Sequence, residues 1–390
     1  MNSALLELAK KIRNLCPEKD FIPLHEPIFI GNEQKYVSDC IGTGWVSSVG
    51  KYVDRFERML AEFTGAKRAV AVVNGTAALH ISLKIVGVQQ NDEVLIPSLT
   101  FVATGNAVIY CGAVPHFIDV SIETLGIDPF KLDDYLREIA IINGNTCINK
   151  KTGRIIRAVV PMHTFGHPVD LDPLLDVCER WNLIIVEDAA ESLGSYYKGV
   201  HTGNFGKVSA LSFNGNKIIT TGGGGAILTN DEKLADYAKH LTTTAKLPHR
   251  WKYEHDEVGY NYRMPNINAA LGCAQLEYID NLIQRKRKLV HKYRQLVENF
   301  PGIELFMERN FSKSNYWLQT LIFDQEIYDI QEVLEVLNNH NVMSRPVWEP
   351  LHLLGPFQHC PTSDLSVTEQ IKSRLVNIPS SPYLGEDVHE

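Results

Sequence analysis

The chain reads VSALSFNGNKIITTGGGGAILTN from Val208 to Asn230, and this stretch governs our interpretation of the rest of the sequence. Val208 to Phe213 and Ala226 to Thr229 are short, apolar runs, which is typical of buried strands. The residues between them include an Asn-Gly pair and four consecutive glycines, which favour loops and tight turns. Lys217 is therefore predicted to lie on a loop between two strands.

A lysine in this position can become a reactive group. Burial and nearby cations disfavour the charged form of an amine, and a neutral amine forms imines with aldehydes. The plainer interpretation of Lys217 is a solvated side chain on a glycine-rich hairpin, since most lysines are exposed. Residues elsewhere in the sequence decide between the two.

The composition is that of an ordinary globular protein, with 390 residues and a net charge of −8. A chain of this length exceeds the size at which one core keeps growing, so we expect a large and a small domain. The acidic balance and the scattered basic residues argue against nucleic acid or an anionic membrane as the main partner. The seven cysteines form no CxxC pair, which favours a reducing cytoplasm.

The sequence pattern divides the chain into three segments. The N-terminal run ALLELAKKIRNLC is apolar at helical spacing but contains Lys10, Lys11 and Arg13, so we expect neither a signal peptide nor a membrane span. We predict an N-terminal helix and arm over residues 1–24, a large cofactor-binding domain over 25–270 and a smaller α+β domain over 271–390.

Short β-branched runs alternate with helical patterns in the large domain, which is typical of a parallel sheet with helices on both faces. Seven strands are predicted, at Ala69–Val73, Glu93–Pro97, Val114–Ile118, Ile155–Pro161, Leu183–Val186, Val208–Phe213 and Ala226–Thr229. Residues 143–154 are predicted to form a loop or a small hairpin. One long helical pattern follows Asn266, and its basic run from Arg285 to Lys288 is predicted to be solvated.

In an open parallel sheet a ligand binds beyond the carboxyl ends of the strands, so the residues that follow each strand are site candidates. The first strand leads into NGTAAL, where the free amides of Gly75 and Thr76 can bind a phosphate. Phe101 can cover a flat ligand, and Ser212 offers a hydroxyl. The plainer interpretations are a common Asn-Gly turn, a core phenylalanine and a turn hydroxyl.

Two acids, Glu187 and Asp188, follow the apolar run NLIIV, and the period of two along a strand places them on opposite sides. A buried carboxylate needs a partner, because an unpaired charge is costly. A protonated heterocyclic nitrogen is one such partner, and a helix cap is the alternative. Pyridoxal phosphate requires four features in its binding site: a phosphate cradle, an aromatic ring, an acid and an imine-forming lysine.

Six segments carry a resemblance to a known family: GWVSSVGKYVDRFE, VVNGTAALH, PSLTFVATGNAV, VEDAAESLGS, SFNGNKIITTGGGGAI and GYNYRMPNINAALGCAQLE. In order and spacing they resemble the DegT/DnrJ/EryC1/StrS family of pyridoxal-phosphate-dependent nucleotide-sugar aminotransferases. The resemblance covers nearly the whole chain. It implies fold type I of these enzymes, with a mostly parallel seven-stranded sheet, helices on both faces and a smaller α+β C-terminal domain.

The resemblance also implies roles for the candidate residues. Lys217 forms the imine with pyridoxal 5'-phosphate and moves the proton, Asp188 pairs with the pyridine nitrogen, and Phe101 stacks on the ring. The implied phosphate ligands are Gly75, Thr76, Ser212 and, from the neighbouring subunit, Asn261. That last ligand implies a homodimer with shared active sites.

The segments LPHRWKYEHDEVGYNYRM, SRPVWEPLHLL and FQHCPTSDLSVTEQIKSRLVNIPSS are most similar to the branch that serves legionaminic acid and bacillosamine-type pathways. This branch implies transfer of an amino group from L-glutamate to a nucleotide-linked 4-keto-6-deoxy-2-acetamido sugar, carried by UDP or GDP. The candidate contacts for the diphosphate or the donor carboxylates are Lys246, His249, Arg250, Arg345 and His352. Their plainer interpretation is that of surface residues.

Two positions bear on the reaction type. Many relatives have Gln two residues after the aspartate, where this chain has Ala190, so the group that supports the cofactor oxygen is left open. Family members that act as dehydratases carry His in place of the lysine, whereas this chain keeps Lys217. Elimination on the same cofactor and a regulator without turnover are the alternative functions.

Two other site types are not expected. No GxGxxG follows the first strand, which argues against a nicotinamide-dependent oxidoreductase. His163 and His167 are spaced four residues apart, but Gly166 and Pro168 break any helix there, so no metal site is predicted. The four glycines after Lys217 are predicted to keep side chains away from a sugar-nucleotide entrance.

Overall fold

The computed structural model describes residues 3–386; the outermost residues of the predicted N- and C-terminal segments, 1–2 and 387–390, lie outside it. The helices are α1 (Ser3–Arg13), α2 (Glu33–Thr43), α3 (Lys51–Thr64), α4 (Gly75–Ile85), α5 (Val102–Tyr110), α6 (Pro129–Ile139), α7 (Leu171–Arg180), α8 (Glu232–Thr242), α9 (Asn266–Leu276), α10 (Ile279–Val297), α11 (Ile330–Asn339) and α12 (Ser366–Lys372). The strands are β1 (Arg68–Val72), β2 (Glu93–Pro97), β3 (Val114–Ile118), β4 (Ala140–Asn143), β5 (Thr146–Asn149), β6 (Ile155–Val159), β7 (Ile184–Asp188), β8 (Tyr196–Tyr197), β9 (Val200–His201), β10 (Val208–Ser212), β11 (Gly225–Thr229), β12 (Ile303–Leu305), β13 (Ser312–Lys313), β14 (Gln319–Phe323), β15 (Arg345–Pro346) and β16 (Leu375–Ile378).

The main sheet contains the seven predicted strands, in the order β1-β11-β10-β7-β6-β2-β3. The five strands from β10 to β3 pair in parallel, and β11 lies antiparallel between β1 and β10. The mostly parallel sheet is thus confirmed. Because β11 runs against its neighbours, its first residue, Gly225, lies opposite both Val72 and Ser212 at the carboxyl edge.

The segment 143–154 forms part of a hairpin, β4–β5, which pairs with the start of β6. The C-terminal part of the chain has its own antiparallel sheet, in the order β12-β14-β16-β15. A cluster of buried side chains joins this sheet to α10, α11 and α1, so the first helix packs into the same core as the last strand. The domain boundaries at residues 24 and 270 stay predictions.

The long helical pattern after Asn266 consists of two helices, α9 and α10. The prediction of a fully solvated basic run was wrong for Lys286, which is completely buried. Its Nζ donates to the carbonyl oxygen of Ser380, and burial places the pKa of Lys286 well below its ordinary value. Four consecutive helical residues span more than one turn, so one of them faces the core.

Within residues 3–386, no helix combines the length and the apolar character needed to cross a membrane.

Candidate active site

A cavity of about 300 Å³ lies at the carboxyl edge of the main sheet. Six residues predicted from the sequence line it: Gly75, Thr76, Phe101, Asp188, Ser212 and Lys217. They come together because β1, β2, β7 and β10 run in one direction, which brings their carboxyl ends to one edge. The predicted site is therefore a single enclosure rather than a set of separate turns.

The N-terminal end of α4 forms one wall of the cavity. The Asn74 side chain accepts a hydrogen bond from the Ala77 N–H at 2.8 Å, while the amides of Gly75 and Thr76 have no acceptor within the helix. A side chain at Gly75 has no room, since its Cβ would lie 2.9 Å from Cβ of Ser212. Two free amides, the positive end of the helix dipole and the Ser212 hydroxyl thus make a surface suited to a phosphate.

Asp188, the last residue of β7, points into the cavity. Its carboxylate accepts hydrogen bonds from the Thr104 hydroxyl at 2.8 Å and the Ala190 N–H at 3.2 Å. Burial raises the pKa of Asp188, so a cation at this position is favourable. In the described chain, residues 189–195 form turns rather than a helix, so the alternative role as a helix cap is wrong.

Glu187 points to the opposite side of the sheet, as predicted. Its carboxylate accepts hydrogen bonds from the amides of Gly203, Phe205 and Gly206 at 2.7–2.8 Å, and lies 3.0 Å from His163 Nε2. This fully buried acid therefore holds the loop after β9 against β7 and orients the end of the strand that carries Asp188.

The two histidines of the HTFGH segment are held by contacts with neighbouring side chains. His163 is bound to Glu187, as above, and His167 packs edge-on against the rings of Phe306 and Tyr316. His163 therefore orients Glu187 of β7, and His167 packs against the C-terminal part of the chain.

Lys217 lies in the turn between β10 and β11, and its side chain is only 14% exposed. Its Nζ is 3.2 Å from Oε1 of Glu191 and 3.8 Å from the centroid of the Trp317 ring. The indole N–H of Trp317 donates to the carbonyl oxygen of Asn216 at 2.6 Å, which holds the ring beside the lysine. The plainer interpretation, a solvated lysine, is wrong.

Glu191 is a cavity residue that the sequence analysis missed. Its Oε2 accepts a hydrogen bond from the Phe165 N–H at 2.8 Å, and burial raises the pKa of Glu191 to about 7. Ala190 also lines the cavity, but Glu191, one residue later, supplies the polar side chain. A third acid, three residues after the end of an apolar strand, was the available signal in VEDAAES.

Trp317 and Trp348 were missed as well. Both close the cavity from the C-terminal part of the chain, and the Trp348 ring lies 6.2 Å from that of Phe101 and 4.9 Å from that of Phe165. Phe101, half exposed, thus forms an aromatic wall with Trp348. No local pattern identifies these tryptophans, since they lie in loops next to β14 and β15 of a different sheet.

Four predicted residues lie on or beside an exposed hairpin outside this cavity. Lys246, His249 and Arg250 project from the hairpin, where Lys246 Nζ sits 4.1 Å above the Tyr253 ring. Asn261 is exposed at its base. The structure does not bring these four side chains to the cavity of their own chain.

Arg345 and His352 also lie outside the cavity lining. The exposed Arg345 guanidinium donates to the carbonyl oxygen of Ser344 at 2.9 Å. His352 Nδ1 is 2.7 Å from the Ser98 hydroxyl, and its Nε2 is 3.4 Å from a Glu369 carboxylate oxygen. The contact between His352 and Ser98 ties the C-terminal part of the chain to the end of β2.

The residues of the cavity fit pyridoxal 5'-phosphate. The amides of Gly75 and Thr76 and the Ser212 hydroxyl would hold the phosphate, Asp188 the ring nitrogen and Lys217 the aldehyde. The observation that carries the fit is a buried acid with a raised pKa that faces the same space as the free Gly75 and Thr76 amides at the start of α4. When bound, this cofactor supplies a reactive aldehyde carbon and an electron-withdrawing ring.

This fold and this site define a pyridoxal-phosphate-dependent aminotransferase. Residues 28–390 match the model of the DegT/DnrJ/EryC1/StrS aminotransferase family. The chain belongs to this family, which confirms the predicted family, fold type and cofactor.

The names of similar proteins agree with this family assignment. The chain is 39% identical over 368 residues to the GDP-perosamine synthase of Vibrio cholerae, covering 94% of this chain and 95% of the relative. It is 37% identical over 374 residues to the putative pyridoxal phosphate-dependent aminotransferase EpsN of Bacillus subtilis (strain 168), covering 94% and 92%. The solved structure of DesI in the presence of its TDP-sugar product superposes with a TM-score of 0.81 at 26% identity, covering 93% of this chain and 88% of that one.

Proposed function

We propose that the chain transfers an amino group from L-glutamate to the C4 keto group of a nucleotide-linked 4-keto-6-deoxy-2-acetamido sugar carried by UDP or GDP. The observation that carries this proposal is the convergence of Lys217, Asp188 and the N-terminus of α4 on one cavity. The names of the relatives support a nucleotide sugar as the acceptor. Those named GDP-perosamine synthase favour GDP as the carrier, whereas the DesI structure contains a TDP-sugar. We place the reaction in the cytoplasm, in bacterial surface glycan or nonulosonic acid synthesis of the legionaminic acid and bacillosamine type.

Each side chain in the cavity has a task in this reaction. The Lys217 amine would hold the cofactor, and it is the group placed to move the proton that leaves the donor α-carbon. The Asp188 carboxylate keeps the cofactor ring nitrogen protonated. Phe101, Trp317 and Trp348 exclude water, which strengthens every charge interaction inside the cavity.

The test is an assay of the purified enzyme with L-glutamate and a panel of keto sugars. The panel varies the nucleotide, UDP or GDP, and the C2 substituent, acetamido or hydroxyl. We expect one sugar to gain the mass of an amine, with a matching change in the visible cofactor band. The Lys217→Ala variant is expected to fold and to show no turnover. If the wild-type enzyme forms no product with any sugar, the result would favour the alternative function, a regulator without turnover.

We further propose a homodimer with shared active sites. Large apolar side chains are exposed at the end of α2, on the segment after it and on the exposed hairpin that carries Lys246, among them Ile41, Trp45, Val49, Trp251 and Tyr253. Such surfaces commonly mark interfaces between proteins. Asn261 at the base of the hairpin is then available to the cavity of a second copy.

A mixing experiment tests the shared site. In a two-fold dimer, a Lys217→Ala subunit paired with an Asn261→Ala subunit retains one site that carries neither change. If each variant alone is impaired, random mixing is expected to restore roughly a quarter of the wild-type activity, because about half of the dimers are mixed and each has one intact site. Activity equal to the average of the two separate variants would contradict the shared site.

A further inference from the structure

Glu191 and Lys217 form a close pair in a protected part of the cavity. Oε1 of Glu191 lies 3.2 Å from Nζ of Lys217, and the Glu191 side chain is only 1% exposed. Among residues 3–386, no other side chain is within hydrogen-bonding distance of this Nζ. A proton that leaves Lys217 directly to a protein group therefore has one acceptor.

The carboxyl group is held in place for this contact. Oε2 accepts the Phe165 N–H, and the Glu191 carbonyl oxygen accepts a hydrogen bond from the Asn315 side chain at 2.8 Å. Phe165 presents its N–H from a left-handed backbone conformation with φ of 55°, which is uncommon for a bulky residue. With one oxygen and the backbone bound, the second oxygen faces the lysine.

The other groups around the lysine cannot take its proton. The Trp317 ring covers Nζ at 3.8 Å, which attracts a cation but binds no proton. The Asp188 carboxylate is bonded to Thr104 and Ala190 and is assigned to the cofactor ring nitrogen. His25 is also close enough to feel the Lys217 charge, but burial holds its pKa well below the ordinary value, so it is a poor acceptor near neutral pH. Glu191 is the remaining base.

We propose that Glu191 is the proton partner of Lys217 during turnover. Its carboxylate takes a proton from the Lys217 ammonium and leaves a neutral amine, and its carboxylic acid returns a proton to that amine. An O–H bond forms as an N–H bond breaks, so charge and protons balance within the pair and no external base is required. The inference rests on the proposed role of Lys217 as the residue that binds the cofactor.

The electrostatic surroundings suit a group that both gains and loses a proton at neutral pH. Burial raises the pKa of Glu191, the Lys217 charge and the Phe165 amide lower it, and the Asp188 charge raises it, with a result of about 7. An acid or base exchanges protons most effectively when its pKa is near the working pH.

The first test observes Glu191 in the wild-type chain. Protein containing glutamate labelled with ¹³C at the side-chain carboxyl is freed of cofactor, and the carbon shifts are followed by NMR from pH 4 to 9. We expect one glutamate to titrate near pH 7. A spectrum without a glutamate that titrates between about pH 6 and 8 would overturn the proposal, with no variant needed.

The second test compares two substitutions in the holoenzyme. Glu191→Gln keeps an oxygen for the Phe165 N–H but cannot carry a proton. Glu57→Gln is the matched control, because Glu57 also accepts a backbone N–H, from Ala71 at 2.8 Å, and a lysine Nζ, from Lys239 at 2.6 Å, outside the cavity.

For Glu191→Gln we expect bound cofactor, a nearly unchanged KM for glutamate and a kcat lowered by about 10²-fold, the lower end of the range for a positioned acid or base. The kcat pH profile is expected to lose its ionisation near pH 7, and Glu57→Gln to keep it. An unchanged kcat and pH profile in a cofactor-loaded Glu191→Gln enzyme would overturn the proposal. Transamination by Lys217→Ala, in contrast, would overturn the proposed function itself.

Discussion

Three acids lie within five residues of one another at the end of β7, and each has a different environment. Glu187 is surrounded by donors on the far side of the sheet, Asp188 faces the cavity with two donors, and Glu191 faces a lysine. Burial raises the pKa of both cavity acids. Their different tasks therefore follow from their partners, since the side-chain chemistry is the same.

The titration of Glu191 predicts a pH-dependent stability. Its pKa rises from the ordinary 4.5 to about 7 on folding, so the folded chain binds this proton more tightly and loses stability as pH rises from 4.5 to 7. Glu191→Gln removes this loss. The unfolding free energy of the cofactor-free variant, relative to wild type, is expected to rise over that window by roughly 3 kcal/mol, at about 1.4 kcal/mol for each pKa unit. Urea unfolding at several pH values measures it, and a pH-independent difference would contradict the prediction.

At the level of elements, the four glycines after Lys217 have different reasons to be glycine. Gly222 has a φ of 78°, which favours glycine, and a Cβ on Gly224 would lie 2.2 Å from the Thr221 hydroxyl. A Cβ on Gly225 would lie 2.5 Å from the Asn74 carbonyl oxygen. Packing and backbone conformation thus account for three of them, and only Gly223 has open space around its Cβ position.

We predict that Gly225→Ala weakens the phosphate cradle. The added methyl group must displace Asn74 and the start of α4, which is expected to cost about 1–3 kcal/mol of stability, as for overpacked sites. Cofactor retention on dialysis is expected to fall with it. Gly223→Ala is the control and should change stability by less than about 0.5 kcal/mol. Equal behaviour of the two variants would refute this account of the sheet edge.

Gly223 is where the predicted sugar-nucleotide entrance can be tested. Gly223→Leu places a large side chain in open space beside the cavity without a steric clash at Cβ. We expect a several-fold higher KM for the sugar and an unchanged KM for glutamate. An unchanged sugar KM would leave this glycine without a functional role.

For the molecule as a whole, the first helix and the last strands form one core. Leu8 of α1 is fully buried in the cluster that also contains Leu321 of β14 and Ile378 of β16. The two ends of the chain therefore stabilise each other, although more than 300 residues separate them.

Leu8→Ala is expected to lower the unfolding free energy by about 2–5 kcal/mol, as large-to-small changes in a core do. The exposed Lys10→Ala in the same helix is the control and should change it by less than about 0.5 kcal/mol. Urea unfolding followed by far-UV circular dichroism measures both. A loss below about 1 kcal/mol for Leu8→Ala would show that α1 adds little to this core.

The amino-acid sequence was sufficient to predict the seven strands, the loop that carries Lys217, and Gly75 and Asp188 at strand ends. These features depend on local composition and on the periodicity of apolar residues, which neighbouring residues specify. The burial of Lys286 and the cavity contacts of Glu191, Trp317 and Trp348 emerged only in the tertiary structure. They depend on packing between segments that are 26 residues apart for Glu191 and Lys217 and more than 90 apart for the others, and no local pattern encodes a distance between such segments. The side chain placed to exchange a proton with Lys217 is for this reason visible only in the folded chain.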